Sequence, residues 1–110
     1  MKKCICKFSF ALFLSVCFSA FACAQKSEGD RAMNQPVEPF RIIGNVYYVG
    51  ASDVTSYLIT SSRGHILIDG GFAETVPQIK ANVSRLGFKI EDIKILLINH
   101  AHYDHCGGLA

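Results

Sequence analysis

A chain of 110 residues falls within the range of one small domain, and its net charge of +2 excludes the strongly basic balance of a nucleic-acid-binding protein. The small positive excess comes from the first 24 residues. Removing Lys2, Lys3 and Lys7 leaves eight of the 11 basic residues against nine acidic ones, so the rest of the chain is close to neutral.

Residues 1–24 have the features of a secretory signal peptide. A positive start precedes an apolar run over residues 8–22, and Ala22-Cys23-Ala24 forms a small-x-small cleavage site. A transmembrane anchor is the alternative, but the run is shorter than the ~20 residues of a spanning helix. Lipid attachment at Cys23 is a further alternative, but the leucine that is expected three positions before the cysteine is absent. We expect cleavage after Ala24, no stable membrane anchor, and a periplasmic or secreted protein.

Cysteine usage limits how the mature chain is stabilised. Four of the five cysteines lie within the signal peptide, and Cys106 alone remains. No intrachain disulfide can form in a compartment that permits one, so stability must come from a packed core or a bound metal.

The next segment, residues 25–39, is polar and contains two prolines, which predicts a flexible leader. The folded domain then covers residues 40–110. Stretches rich in Ile, Val, Tyr and Leu predict strands at about 41–43, 45–49, 54–60 and 64–69. The last two form a hairpin through Ser61-Ser62-Arg63-Gly64, and their apolar composition is typical of strands covered on both faces.

An amphipathic helix follows, because apolar side chains and the Lys80 stem recur at positions 76, 79, 80, 83 and 86. Thr75 is its expected N-cap, Pro77 fits its first turn, and Gly87 ends it. Residues 95–99 have the composition of a fully buried strand. A strand, a helix and a strand at this spacing predict an α/β fold with helices packed on a sheet.

Four potential metal ligands follow that last strand: His100, His102, Asp104 and His105. In an extended segment the side chains at i and i+2 point to the same side, so His100 and His102 can converge on one cation. Asp104 and His105 lie past a bend and can face a second cation. Imidazole nitrogen and carboxylate oxygen are ligands that zinc accepts readily.

Two alternatives to this arrangement exist. Histidines without a metal are the usual interpretation of an isolated residue, but three imidazoles and a carboxylate within six positions are costly to bury unpaired. A helical i, i+4 pair of His100 with Asp104 is the geometric alternative, and the β-branched run before it and Gly107-Gly108 after it argue against a helix through the cluster. His65 belongs to no motif and is interpreted as a strand or turn histidine.

The stretch from His100 to His105 resembles the H-x-H-x-D-H signature of the metallo-β-lactamase superfamily, and Asp69 in "LIDGG" matches an aspartate that precedes this signature. The resemblance covers about residues 40–110. Together with the secretory leader, "SYLITSSRGHILIDGG" and "VPQIKANVSRLGFKIEDIKILLINHAHYDH" are similar to the third subclass of class B β-lactamases, dizinc enzymes with broad activity that includes carbapenems.

The resemblance implies a role for each of these residues. His100 and His102 would hold the first of two zinc ions, and Asp104 with His105 the second. Asp104 would also act in catalysis by orienting the hydroxide that opens the β-lactam ring. Asp69 would steady the loop that carries these four ligands, which we call the metal loop. Without the resemblance, an equally good interpretation of Asp69 is a polar residue at the end of a strand.

The superfamily fold is an αββα sandwich of two similar halves, and each zinc takes one more histidine from later in the chain. We therefore expect this sequence to be the N-terminal half of a longer enzyme, inactive alone, with a sheet face and edge exposed. Other hydrolases share the motif, including thioesterases, lactonases and phosphodiesterases, but a secretory leader favours an antibiotic hydrolase. A secreted zinc-binding remnant without activity is the alternative from another class.

Cys106 has two interpretations. It is either a small side chain packed under the loop or a thiol close enough to zinc to alter coordination or to be oxidised.

Overall fold

The computed structural model describes residues 28–110, which form one five-stranded sheet with short helices. The strands lie in the sheet in chain order, and β5 is an edge strand parallel to β4, whereas all other pairs are antiparallel. Their bounds are β1 Phe40–Ile43, β2 Val46–Tyr48, β3 Tyr57–Ile59, β4 His65–Ile68 and β5 Ile93–Leu97. The predicted strands are all present, mostly shorter than expected, and the last begins two residues earlier.

Three α-helices are present in the described chain: α1 Glu28–Met33, α2 Val76–Arg85 and α3 Tyr103–Cys106. Single 3₁₀ turns lie at Ala73–Thr75, Ile90–Asp92 and Gly107–Leu109. Helix α2 connects β4 to the parallel strand β5, so the predicted α/β class is confirmed. Within residues 28–110, no helix combines the length and the apolar character needed to cross a membrane.

Helix α2 begins as the sequence predicts but is capped differently. Pro77 lies in its first turn and Thr75 occupies the N-cap position. The Thr75 hydroxyl does not bond to the helix, however. It accepts the Phe72 N–H at 3.1 Å and donates to Asn34 Oδ1 at 2.8 Å, because the preceding 3₁₀ turn runs directly into α2.

The main core lies between α2 and one face of the sheet. Its buried side chains are Val49, Leu58, Leu67, Ile79 and Val83. Burying an aliphatic side chain of this size stabilises the fold by about 1.5–3 kcal/mol. In β4 buried residues alternate with partly exposed ones, which is the pattern of a sheet with one covered face. The expectation that these strands are covered on both faces is therefore wrong for the described chain.

Strand β5 also differs from its prediction as a fully buried strand. Its residues from Ile95 to Leu97 and the following Ile98 are between 42% and 49% exposed. Composition showed that this strand needs an apolar environment. Consecutive strand residues point to opposite faces, so β5 is exposed on both of its faces. Within residues 28–110 no second layer covers the face away from α2, and on the α2 side Leu96 lines an open cavity with Leu67 and Ile79.

The predicted signal peptide, residues 1–24, lies outside the described residues, but most of the predicted flexible leader is within them. Residues 28–38 include helix α1 and hydrogen-bond to the body of the domain at several points. Met33 packs against the small core of Ala51, Val54 and Phe72. The expectation of a flexible leader therefore needs correction for this stretch, because main-chain hydrogen bonds and one apolar anchor hold a segment of polar composition.

Candidate metal centre

The cluster of predicted ligands lies at one edge of the sheet. Asp69 follows the end of β4, and His100 lies three residues after the end of β5. Because these strands are parallel, their carboxyl ends meet at the same edge and bring the two loops together. The Asp69 N–H donates to the Leu97 carbonyl at 2.8 Å, which joins the two strand ends directly.

The loop follows an extended path and then forms a short helix. His100 lies in a bend, and His102 is extended (φ −83°, ψ 148°) as the N-cap of α3. Its carbonyl accepts the N–H groups of His105 at 2.9 Å and Cys106 at 3.0 Å. Asp104 and His105 therefore lie on α3 rather than in the predicted loop, while a helical His100–Asp104 pair does not form because the helix begins after His102.

The imidazole of His100 contacts the other two imidazoles of the cluster. The ring centroid of His100 lies 4.5 Å from that of His102 and 4.1 Å from that of His105. The Asp104 Oδ2 atom lies 3.4 Å from His105 Nε2. All four predicted ligands are thus brought into one group at the end of β5.

Asp69 contacts this group from the end of β4. It is 3% exposed, and its backbone has a positive φ of 61°, which aspartate tolerates better than most residues. Its Oδ1 accepts the Asn99 N–H at 2.7 Å, and its Oδ2 lies 2.9 Å from Nδ1 of His105. Its carbonyl accepts the Ser56 hydroxyl at 2.8 Å. Asp69 is therefore linked both to the strand before the loop and to a histidine within it.

The contact with Asp69 sets which nitrogen of His105 is available. A carboxylate is an acceptor, so in the neutral imidazole the hydrogen is on Nδ1 and the lone pair is on Nε2. In that tautomer Nε2 and the neighbouring Asp104 carboxylate can both donate to one cation.

Two pairs of glycines fix the loop against the end of β4. The Gly70 N–H donates to the His105 carbonyl at 2.8 Å, and the Gly108 N–H donates to the Gly71 carbonyl at 3.1 Å. A Cβ atom on Gly108 would lie 2.7 Å from Val76 Cγ2 and closer still to the Gly70 carbonyl oxygen. The sequence showed these pairs only as chain breaks. The signal for a close backbone approach was the occurrence of two adjacent glycines after β4 and two more after the histidine cluster.

Tyr103 is a site residue that sequence reasoning missed. It lies between two predicted ligands, and its ring packs on Phe72 with centroids 5.1 Å apart. Its hydroxyl donates to Asp30 Oδ1 at 2.9 Å, and this hydrogen bond raises the pKa of the phenol. No local pattern could have indicated a contact between residues 73 positions apart.

The two remaining candidates lie differently with respect to the cluster. Cys106 is a free, partly buried thiol on α3, next to His105. His65 begins β4 at the opposite end of the sheet, where its Nδ1 accepts the Ser61 N–H at 3.3 Å and its ring meets Phe88 edge-on. His65 therefore lies apart from the cluster.

A family model described as the metallo-beta-lactamase superfamily matches residues 49–110, more than half of the chain. The chain belongs to the metallo-β-lactamase superfamily. The five-stranded sheet with its helices is part of the metallo-β-lactamase fold.

Several solved metallo-β-lactamases are similar to this chain. GOB-18 from Elizabethkingia meningoseptica is 54% identical, with 77% of this chain and 31% of that chain covered and a TM-score of 0.72. FEZ-1 from Legionella gormanii is 55% identical (69% and 29% covered, TM-score 0.68). The class B3 di-zinc enzyme LRA-12 from an Alaskan soil metagenome is 47% identical (77% and 31% covered, TM-score 0.71). The resemblance to the third subclass is confirmed, and the chain spans about 30% of the length of these relatives.

Membership of a metallo-β-lactamase superfamily implies a metal cofactor, and the donors present suit zinc in kind. Among residues 28–110, however, no three His, Cys, Asp or Glu side chains are grouped so as to hold an ion together. A catalytic zinc needs three protein donors and an open position. The cluster therefore offers donors of the kind that zinc accepts, but residues 28–110 do not form a complete zinc site.

Proposed function

We propose that this chain is the N-terminal part of a zinc-dependent β-lactamase that is exported to the periplasm and opens the β-lactam ring of antibiotics. The observation that carries the proposal is the group of His100, His102, Asp104 and His105 at the end of β5, with Asp69 against His105. The similarity to three solved metallo-β-lactamases supports the substrate class. The predicted signal peptide supports export and a role in antibiotic resistance.

Each side chain has a defined task in this proposal. His100 and His102 hold one zinc, and Asp104 and His105 hold the other, each completed by a histidine from later in the protein. When bound, zinc would supply hydroxide at neutral pH and polarise the carbonyl of the strained amide. The Asp104 carboxylate, an acceptor at the site, would orient the hydroxide by accepting its hydrogen. Asp69 holds the Nδ1–H of His105, so that Nε2 stays directed into the site.

The first experiment is to read the coding DNA beyond the Ala110 codon. The proposal requires a frame that continues to about 250 residues in all, the size of one larger domain, with two further histidines placed to complete the sites. A stop codon directly after Ala110 would remove the catalytic proposal for this product and leave the secreted zinc-binding remnant.

The second experiment is an assay of the enzyme expressed from the complete frame. We expect hydrolysis of a carbapenem, its loss on treatment with a chelator, and its return with zinc. His102→Ala should abolish the activity, whereas His65→Asn, at the other end of the sheet, should retain it. Hydrolysis of a glutathione thioester in place of the carbapenem would assign the enzyme to the thioesterases of the same superfamily.

A further inference from the structure

Residues 28–37 form a segment that we call the N-terminal strap. Its first attachment is to the loop after β2. The carbonyls of Met33 and Gln35 accept the N–H groups of Asp53 at 2.9 Å and Ser52 at 3.0 Å. The Ser52 hydroxyl also donates to the Met33 carbonyl at 2.9 Å. These bonds involve the main chain of the strap, so they fix its path whatever its side chains are.

The second attachment is to the helix that covers the sheet. Asn34 Oδ1 accepts the Thr75 hydroxyl at 2.8 Å, and the Val37 carbonyl accepts the Asn82 amide at 3.2 Å. Thr75 is fully buried and Asn82 is 1% exposed. The strap thus supplies an acceptor to each of two buried polar side chains, which makes the attachment specific.

The third attachment is to the metal loop. Asp30 Oδ1 accepts the Tyr103 hydroxyl at 2.9 Å, and the Tyr103 ring packs on Phe72. Phe72 is 2% exposed and is also in the small core to which Met33 belongs. The strap thus contacts Tyr103 both directly and through one buried ring.

We propose that the N-terminal strap positions the metal loop, with Asp30 and Tyr103 as the positioning residues. Tyr103 lies between His102 and Asp104, and α3 has four residues, too few for a helix that is stable by itself. The glycine contacts hold α3 on the sheet side. The strap holds it through Tyr103, whose side chain is 61% exposed.

This inference rests on the proposed function, because it concerns the metal ligands that the function requires. It adds that a segment beginning a few residues after the predicted cleavage site at Ala24 belongs to the active site. Trimming the mature N-terminus past Asp30 should therefore weaken metal binding without removing any ligand.

The test is a zinc titration, in competition with a chromophoric chelator, of the enzyme from the complete frame. Asp30→Ala and Tyr103→Phe should each weaken zinc binding by roughly threefold to tenfold, the range of one hydrogen bond. The double variant should be no weaker than either single one. Asp30→Asn keeps an acceptor oxygen and should bind zinc nearly as the parent does. In the cobalt-substituted enzyme, Tyr103→Phe should also change the visible absorption bands.

The matched control is Glu38→Ala, which removes an exposed ion pair with Arg85 just beyond the strap and should leave zinc binding unchanged. Equal zinc affinity in Asp30→Ala and Glu38→Ala would overturn the proposal. Asp30→Ala and Tyr103→Phe variants that lower only the unfolding temperature would also overturn it. The same holds if Asp30→Asn binds zinc as weakly as Asp30→Ala. Because zinc binding is measured without substrate, an enzyme that binds zinc in this strap-dependent way but spares β-lactams would contradict only the proposed function.

Discussion

Oδ2 of Asp69 lies 2.9 Å from Nδ1 of His105, and this contact connects two residues that are 36 positions apart in the chain. The same carboxylate accepts the Asn99 N–H through Oδ1. One buried side chain therefore sets both the start of the metal loop and the orientation of a predicted ligand inside it.

Replacing Asp69 by alanine should lower the zinc affinity of the complete enzyme by about 10- to 100-fold, because His105 then loses the acceptor that orients its ring. A competition titration with a chelator measures this change. Asp92→Ala, an exposed aspartate in the 3₁₀ turn before β5, is the control. Equal affinities in the two variants would show that the ring is oriented by other contacts.

Gly108→Ala should destabilise the complete protein by about 3 kcal/mol or more, because the new methyl group meets the Gly70 carbonyl and backbone atoms relax little. Urea unfolding measures the change. Gly44→Ala is the control, since nothing lies within 4 Å of its Cβ position. Only its positive φ should then lower the free energy of unfolding, by about 1 kcal/mol. A smaller loss for Gly108→Ala than for Gly44→Ala would contradict the close approach of the two loops.

Asn82→Ala should cost about 1–3 kcal/mol of unfolding free energy. The Asn82 amide donates to the carbonyls of Val37, Val49 and Gly50, and its removal leaves buried acceptors without this donor. Ser84→Ala, on the exposed side of the same helix, should change stability by no more than a few tenths of a kcal/mol. Thermal unfolding measures the midpoint temperature of both variants. Equal midpoints would show that water satisfies those carbonyls.

Cys106 allows the two interpretations of its thiol to be separated. If oxidation of a thiol close to zinc inhibits the complete enzyme, its activity should fall with peroxide and recover with a reductant. Cys106→Ala should remove this dependence. The measurement is residual hydrolysis after timed peroxide exposure. The same loss in the alanine variant would favour a thiol that is only packed under the loop.

Much of the fold could be predicted because its signals are local. The apolar stripe of α2 follows directly from its residues, and the four adjacent ligands lie in one stretch of sequence. An exposed sheet face and edge were expected only from the resemblance to a fold of two halves, and the composition of β5 predicted the opposite for Ile95, since composition shows what environment a strand requires but not whether the described chain supplies it. The Asp30–Tyr103 contact was equally inaccessible, because it depends on where the strap folds back and not on any spacing.

Strand β5 both delivers the predicted ligands and forms the edge of the sheet, with apolar side chains from Ile95 to Ile98 in contact with solvent. An uncharged apolar edge of this kind pairs readily with other chains. Within the described residues, the strand that leads to the metal ligands is therefore also the surface most open to association with another chain. A charged side chain at Ile95 or Leu97 should reduce such association of residues 28–110.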